Sequence, residues 1–151
     1  MDCFASLAMT AIETPMTSDR LFVYGTLMRG FDHPMAKLLS RGADFIGEAS
    51  CRGRLYLVKH YPGLVLSDDA SEVVFGEVYR LRQPKELLRE FDMYEACGEG
   101  FAEPTEYLRQ MLPVTLRDGA VSETWTEAWT YVYNWPVAHL PRIASGRFLE
   151  G

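Results

Sequence analysis

Apolar residues recur along this chain with two different spacings, and the changes of spacing mark its elements. Leu21-Phe22-Val23-Tyr24 is a short continuous apolar run closed by Gly25, which predicts a buried strand entering a tight turn. Pro34 suits the first turn of a helix over residues 35–40. Between residues 43 and 66 short β-prone stretches are interrupted by Gly47, Gly53, Pro62 and Gly63. That pattern predicts antiparallel strands joined by turns or bulges, as a meander rather than βαβ crossovers. Residues 72–81 read as a strand with Val73, Phe75, Tyr79 and Leu81 on one face. Gly76, on the other, permits a bend or a close backbone approach.

Pro84 opens the clearest helix. At about 100° per residue, Leu87, Leu88, Phe91 and Tyr94 fall on one stripe, while Lys85, Glu86, Arg89, Glu90 and Met93 take the opposite side. Glu95 falls between Leu88 and Phe91, a carboxylate aligned with the buried face. Either it lies one residue past the helix and reaches solvent, or it is partly desolvated. Desolvation lifts a carboxyl above its usual pKa of about 4.3 and makes it a better proton carrier near neutral pH. Asp92, at the edge of the stripe, is the competing carboxylate and is expected to cap or pair locally.

Residues 105–117 and 125–134 read as two long strands paired as a hairpin around Asp118-Gly119. In the second, Trp125, Trp129, Tyr131, Tyr133 and Trp135 share one parity, an aromatic face read as core, with Trp125 or Trp135 available for a dimer contact. The expected organisation is a mobile lead-in over residues 1–19, a domain over 20–137 and a tail over 138–151, with residues 139–143 able to pack back.

Composition narrows the function. A chain of 151 residues, 48% hydrophobic, closes one sizeable core but not two ordinary domains. A net charge of -6 without a Lys/Arg cluster argues against nucleic acid, and no run of about 18 apolar residues can span a bilayer. The mildly apolar start carries Asp2 and Glu13 and lacks a basic flank, so a secretory signal is not expected. Three cysteines without CxxC spacing (Cys3, Cys51, Cys97) fit neither a disulfide framework nor zinc, which points to a reducing cytoplasm. They are read as incidental. His33, His60 and His139 are far apart and have no acidic residue at ligand spacing, so no metal is predicted.

The loop Tyr24-Gly25-Thr26-Leu27 follows the first strand, where a glycine lets backbone N–H groups face a small anionic or carbonyl oxygen. By itself such a loop is more often a structural turn, and neither a P-loop nor a dinucleotide fingerprint is present. Phe22-Val23-Tyr24-Gly25-Thr26-Leu27 with Gly30 is followed by Tyr61-Pro62-Gly63-Leu64-Val65 and Val74-Phe75-Gly76-Glu77-Val78-Tyr79. Phe91-Asp92-Met93-Tyr94-Glu95 comes next, and Ala128-Trp129-Thr130-Tyr131-Val132-Tyr133 ends the series. In that order, from about Leu21 to Val137, the chain resembles the γ-glutamylcyclotransferase-like family.

The resemblance implies an α+β fold in which a small, mostly antiparallel β-barrel and a few flanking helices enclose one cavity. It also implies that the Tyr24-Gly25-Thr26-Leu27 loop holds the glutamyl group of a small-molecule substrate and that Glu95 moves the proton. The α-amine would attack the γ-carbonyl, pyroglutamate would leave, and no cofactor would be needed. Tyr107 and Tyr131 are weaker candidates for the cavity wall, each also suited to core packing. Two other functions share the fold: a non-catalytic module binding a small carboxylate, and a hydrolase in which water attacks. The expected state is a monomer or homodimer.

Overall fold

The computed structural model describes residues 19–25, 27–28, 33–95, 103–118 and 122–148. The expected lead-in apart from Asp19, together with Thr26, Cys3, Cys97 and residues 96–102, lies outside them. Nine elements follow in order: β1 (Arg20–Val23), α1 (Pro34–Gly42), β2 (Ala43–Arg52), β3 (Arg54–Leu57), β4 (Pro62–Val65), β5 (Val73–Leu81), α2 (Pro84–Tyr94), β6 (Tyr107–Asp118) and β7 (Ser122–Tyr133). Both helices begin on proline, whose fixed φ suits the first turn and whose missing N–H would have had no partner there. His33 caps α1 by accepting from the Met35 N–H at 3.1 Å through Nδ1.

Five strands close a barrel in the order β1-β5-β2-β6-β7, and β3 with β4 makes a separate two-stranded sheet. All barrel pairings are antiparallel except β1 with β7, where Leu21 faces Trp129 and Phe22 faces Thr130. The fold is therefore α+β and barrel-based. The meander expected over residues 43–66 is not what forms. β2 joins β5 and β6 in the barrel, whereas β3 pairs with β4 and, on its other edge, bridges at Tyr56 to Arg142 of the C-terminal segment, because Gly53 ends β2 and lets the chain leave the wall.

Alternation along the strands separates two hydrophobic clusters. Leu21 and Val23 of β1, with Tyr131 and Tyr133 of β7, join Leu39, Leu87, Leu88 and Phe91 of the helices. Phe22, Ala128 and Val132, from the opposite face of the same strands, join Ala49, Cys51, Leu55, Leu64, Val74, Val78 and Val114. β5 serves both clusters, which corrects the single face expected for it. Tyr79 and Leu81 are buried as predicted, but Val73 and Phe75 are half-covered and the fully buried residues are Val74 and Val78. Gly76 packs directly against the Val23 carbonyl, where any Cβ would collide with the neighbouring backbone, so the close approach expected at this glycine is real.

The aromatic face of β7 is only partly core. Tyr131 and Tyr133 are buried, Trp129 lies under the Arg109 guanidinium at 4.4 Å, and Trp125 and Trp135 are exposed. The face runs from the cluster out to solvent, so parity alone overstates its burial. The C-terminal segment packs back further than residues 139–143. The Ile143 N–H donates to Leu55 O at 2.7 Å, the Leu57 N–H to Pro141 O at 2.9 Å and the Phe75 N–H to Gly146 O at 2.8 Å. No helix among the described residues is long and apolar enough to cross a membrane.

Candidate active site

A cavity of about 220 Å3 lies where the β1 loop, the β3–β4 connection, the end of α2 and the start of β6 meet. Of the residues singled out in the sequence, Tyr24, Gly25, Leu27, Glu95, Tyr107 and Tyr131 all line it. Thr26 lies outside the described residues.

The loop after β1 is a turn closed by the Met28 N–H donating to Gly25 O at 3.0 Å. A Cβ on Gly25 would come within 2.8 Å of Pro62 Cγ, so glycine is what lets the β4 proline close this wall. The Tyr24 side chain ties the same wall together. Its Oη donates to Tyr131 O at 2.6 Å and accepts from the Leu64 N–H at 3.2 Å, joining the loop to β4 and β7. Burial first, then the neighbouring Glu95 charge, pushes this phenol well above its ordinary pKa, so it stays protonated and keeps both bonds.

Glu95 is the C-cap of α2, and its N–H donates to Phe91 O at 2.8 Å. The stripe argument holds for Leu87, Leu88 and Phe91, which are buried. It does not hold for Tyr94, which is 42% exposed. As the last residue of α2, Tyr94 is no longer sandwiched between two turns; it stands at the cavity rim with its Oη 2.9 Å from His33 Nε2. Glu95 itself is half-buried and faces the cavity. Desolvation pushes its carboxyl up to about 8, with the charges of Glu106 and Asp92 adding to the effect. A carboxylate here also sits at the negative end of the helix dipole, which disfavours its charged form.

Asp92 does not cap or pair locally. It takes a two-point ion pair from Arg109, at 2.8 and 3.0 Å, and accepts from Tyr131 Oη at 2.6 Å. Its partners are on β6 and β7, so this carboxylate fastens the last turn of α2 to the barrel three residues before Glu95. Tyr107 Oη donates to Pro62 O at 2.7 Å. Tyr107 and Tyr131 thus combine the two roles considered for them: their rings pack in the helix-side cluster and they also line the cavity.

Sequence reasoning missed Glu106, Tyr61 and His60, which line the same cavity. Tyr61 Oη donates to Glu106 Oε2 at 2.7 Å. Tyr61 begins the Tyr61-Pro62-Gly63 segment, so that segment carried a signal; Glu106 falls inside the strand expected over residues 105–117, though it stands one residue before β6, and nothing in that pattern singles it out. No group of three or more metal-ligating side chains occurs among the described residues.

Residues 21–150 match the family model for γ-glutamyl cyclotransferase, AIG2-like proteins. γ-Glutamylcyclotransferase family proteins YtfP of Escherichia coli K12 and of Citrobacter rodentium are each 34% identical to this chain over 134 residues, covering 87% of it and 96% of the relative. Among solved structures, the solution structure of Escherichia coli YtfP is 32% identical with a TM-score of 0.56, covering 87% of this chain and 96% of that one. The crystal structure of a mouse AIG2-like protein is 26% identical with a TM-score of 0.64, covering 82% and 84%. With the family model matching residues 21–150 and relatives 34% identical over 87% of it, the chain belongs to the γ-glutamyl cyclotransferase, AIG2-like family.

Proposed function

We propose that this protein cleaves a γ-glutamyl amide by intramolecular attack of the substrate's own α-amine on the γ-carbonyl, releasing pyroglutamate and an amine or amino acid. The observation that carries the reading is Glu95: a half-buried carboxyl in a tyrosine-walled cavity, beside the Tyr24-Gly25-Thr26-Leu27 loop, with its proton affinity tuned to about 8. A group that gains and loses a proton near neutral pH suits a reaction that moves one proton between two nitrogens.

The glutamyl ammonium first gives a proton to solvent. The free amine attacks the γ-carbon, forming the ring C–N bond while the carbonyl π electrons move to oxygen. Glu95, ionised, takes a second proton from the attacking nitrogen and hands it to the leaving nitrogen as the old C–N bond breaks and the carbonyl re-forms. The departing amine takes up a proton from solvent, and Glu95 returns to its ionised form. The loop backbone is assigned to the glutamyl group and to the charge developing on the oxygen, and the cavity holds the chain curled for five-membered ring closure. Every group required is a side chain or backbone amide of this chain.

The test is a product assay with γ-glutamyl dipeptides and γ-glutamyl amines, measuring pyroglutamate separately from free glutamate. Wild type is expected to give pyroglutamate, and Glu95→Gln to lose about 10²–10⁴-fold in kcat. Free glutamate as product would establish the hydrolase reading instead. Tight ligand binding without turnover, unaffected by the substitution, would establish a binding module.

A further inference from the structure

Two carboxylates line this cavity. Glu95 comes off the end of α2, and Glu106 comes from the residue preceding β6. Glu106 is fixed at both ends: its side chain accepts from Tyr61 Oη at 2.7 Å, and its backbone carbonyl accepts from the Asn134 N–H at 2.7 Å. A carboxylate offers about four acceptor positions, and Tyr61 occupies one of them. Among the described residues lining the cavity there is no lysine or arginine, and the two acids stand there with His60 and the phenols as its ionisable groups. A small cavity walled by phenol rings and carrying two acids, with no lysine or arginine among its described lining residues, favours a compact cation.

We infer that Glu106, held by Tyr61, is the counter-charge that receives the α-ammonium of the glutamyl group, leaving Glu95 free to carry the proton. The inference rests on the cyclotransferase reading and adds a division of labour to it. One acid cannot do both tasks well. Burial lifts Glu95 to about 8, so near neutral pH it passes between its protonated and ionised forms, and only the ionised form anchors a cation. Glu106 is also one of the charges that raises Glu95, so the two acids are close enough to sense each other. The substrate nitrogen is positive on arrival and positive again as it bonds to the γ-carbon, so Glu106 serves both states and acts on binding more than on turnover.

The test uses free glutamate and glutarate, which differ only by the ammonium group, as ligands in calorimetric titrations at pH 7.5. Wild type is expected to prefer glutamate by 10-fold or more, the range for one charge-assisted contact, and Glu106→Gln to reduce that preference to about 2-fold or less. With a γ-glutamyl substrate the same variant should raise KM about 10-fold with kcat within about 3-fold. It should also move the acid limb of kcat/KM to lower pH, because one influence raising Glu95 is gone; a purely structural role would leave that limb in place. A variant that keeps the glutamate preference, or a wild type that has none, overturns the inference. Pyroglutamate missing from wild type while the preference and its loss persist would sink the cyclotransferase reading and leave the ammonium site standing. If Glu106→Gln fails to fold, Tyr61→Phe takes its place: releasing the clamp should cost about 3-fold in preference, and an unchanged preference overturns the inference.

Discussion

The two hydrophobic clusters that cover the faces of the barrel wall are built from different chemistry. On one face Phe22, Ala49, Cys51, Leu55, Leu64, Val74, Val78, Val114 and Ala128 form a cluster whose only phenol among the buried residues is Tyr24. On the other, Tyr79, Tyr107, Tyr131 and Tyr133 are buried among the leucines of α1 and α2. The aliphatic face needs only volume and shape. The tyrosine face must also satisfy its hydroxyl groups, and those with cavity positions do so: Tyr107 on Pro62 O, Tyr131 on Asp92. Cys51 shows the same contrast from the dry side, since burial alone pushes its thiol up to about 12 and removes it as a nucleophile. A tyrosine wall offers an apolar surface and fixed polar points together, which a ligand cavity requires and a sealed core does not.

The largest expected effect is one of pH, and it belongs to the tyrosine side. Glu95 is raised from an ordinary value of 4.5 to about 8. Below pH 4.5 the folded and unfolded chains both hold the proton, and the residue costs nothing. As pH rises the unfolded chain ionises first, so stability contributed by this group falls between about 4.5 and about 8 and the deficit is complete above that. A tenfold change in proton affinity is worth about 1.4 kcal/mol, so the full effect is at most roughly 5 kcal/mol. Glu95→Gln should therefore become more stable than wild type by a margin that grows over this window, measured by urea unfolding at pH 5 and pH 8.5. A margin that is the same at both values would mean that Glu95 is not desolvated.

The aliphatic side should respond to volume and not to pH. Leu55 is 1% exposed in that cluster and does not line the cavity. Leu55→Ala removes buried methyl groups and leaves a void, at a cost of roughly 3 kcal/mol. Its kcat/KM at temperatures where it remains folded should stay within about 3-fold of wild type, and its loss of stability should be equal at pH 5 and pH 8.5. A large kinetic effect would show that the two clusters are coupled and that the contrast between them is only descriptive.

Legibility in the sequence divided along the same line. Segments with a strong local signal were readable: the Leu21-to-Tyr24 strand, the Pro84 helix and the two strands of the hairpin all form close to their expected limits. Topology was less so. Nothing in residues 43–66 reports that β2 will join β5 and β6 while β3 turns away, because pairing partners are chosen by distant residues. β5 defeated a one-face reading because the barrel covers both of its faces. At the cavity, Glu95 could be nominated from its angular position on α2 and the glycine loop from its place after β1. Glu106 could not, since a lone charged residue at the start of an expected strand is ordinarily a solvated one. Its position becomes informative only when Tyr61, forty-five residues earlier, is seen to hold it. Arg109 was missed for the same reason: as one charged residue on a strand it is unremarkable until Asp92 arrives from the helix.

The smallest effect distinguishes Asp92 from the acids of the cavity. Its charge is one of the influences that raise Glu95, yet it is paired to Arg109 and lies behind the helix end. Asp92→Asn removes that charge while keeping an acceptor for Tyr131 Oη, so Glu95 should lose its proton more readily. The acid limb of kcat/KM should then move to lower pH by less than about one pH unit, because desolvation, the leading cause, is untouched. Arg109→Ala works in the opposite sense. It leaves the Asp92 charge unbalanced, raises Glu95 further and moves the limb to higher pH. The pair of variants therefore predicts two displacements of opposite sign around one wild-type profile. Displacements of the same sign would mean that the Asp92–Arg109 link acts by holding the end of α2 in place rather than through its charge, and would shift the explanation of Glu95 from electrostatics to position.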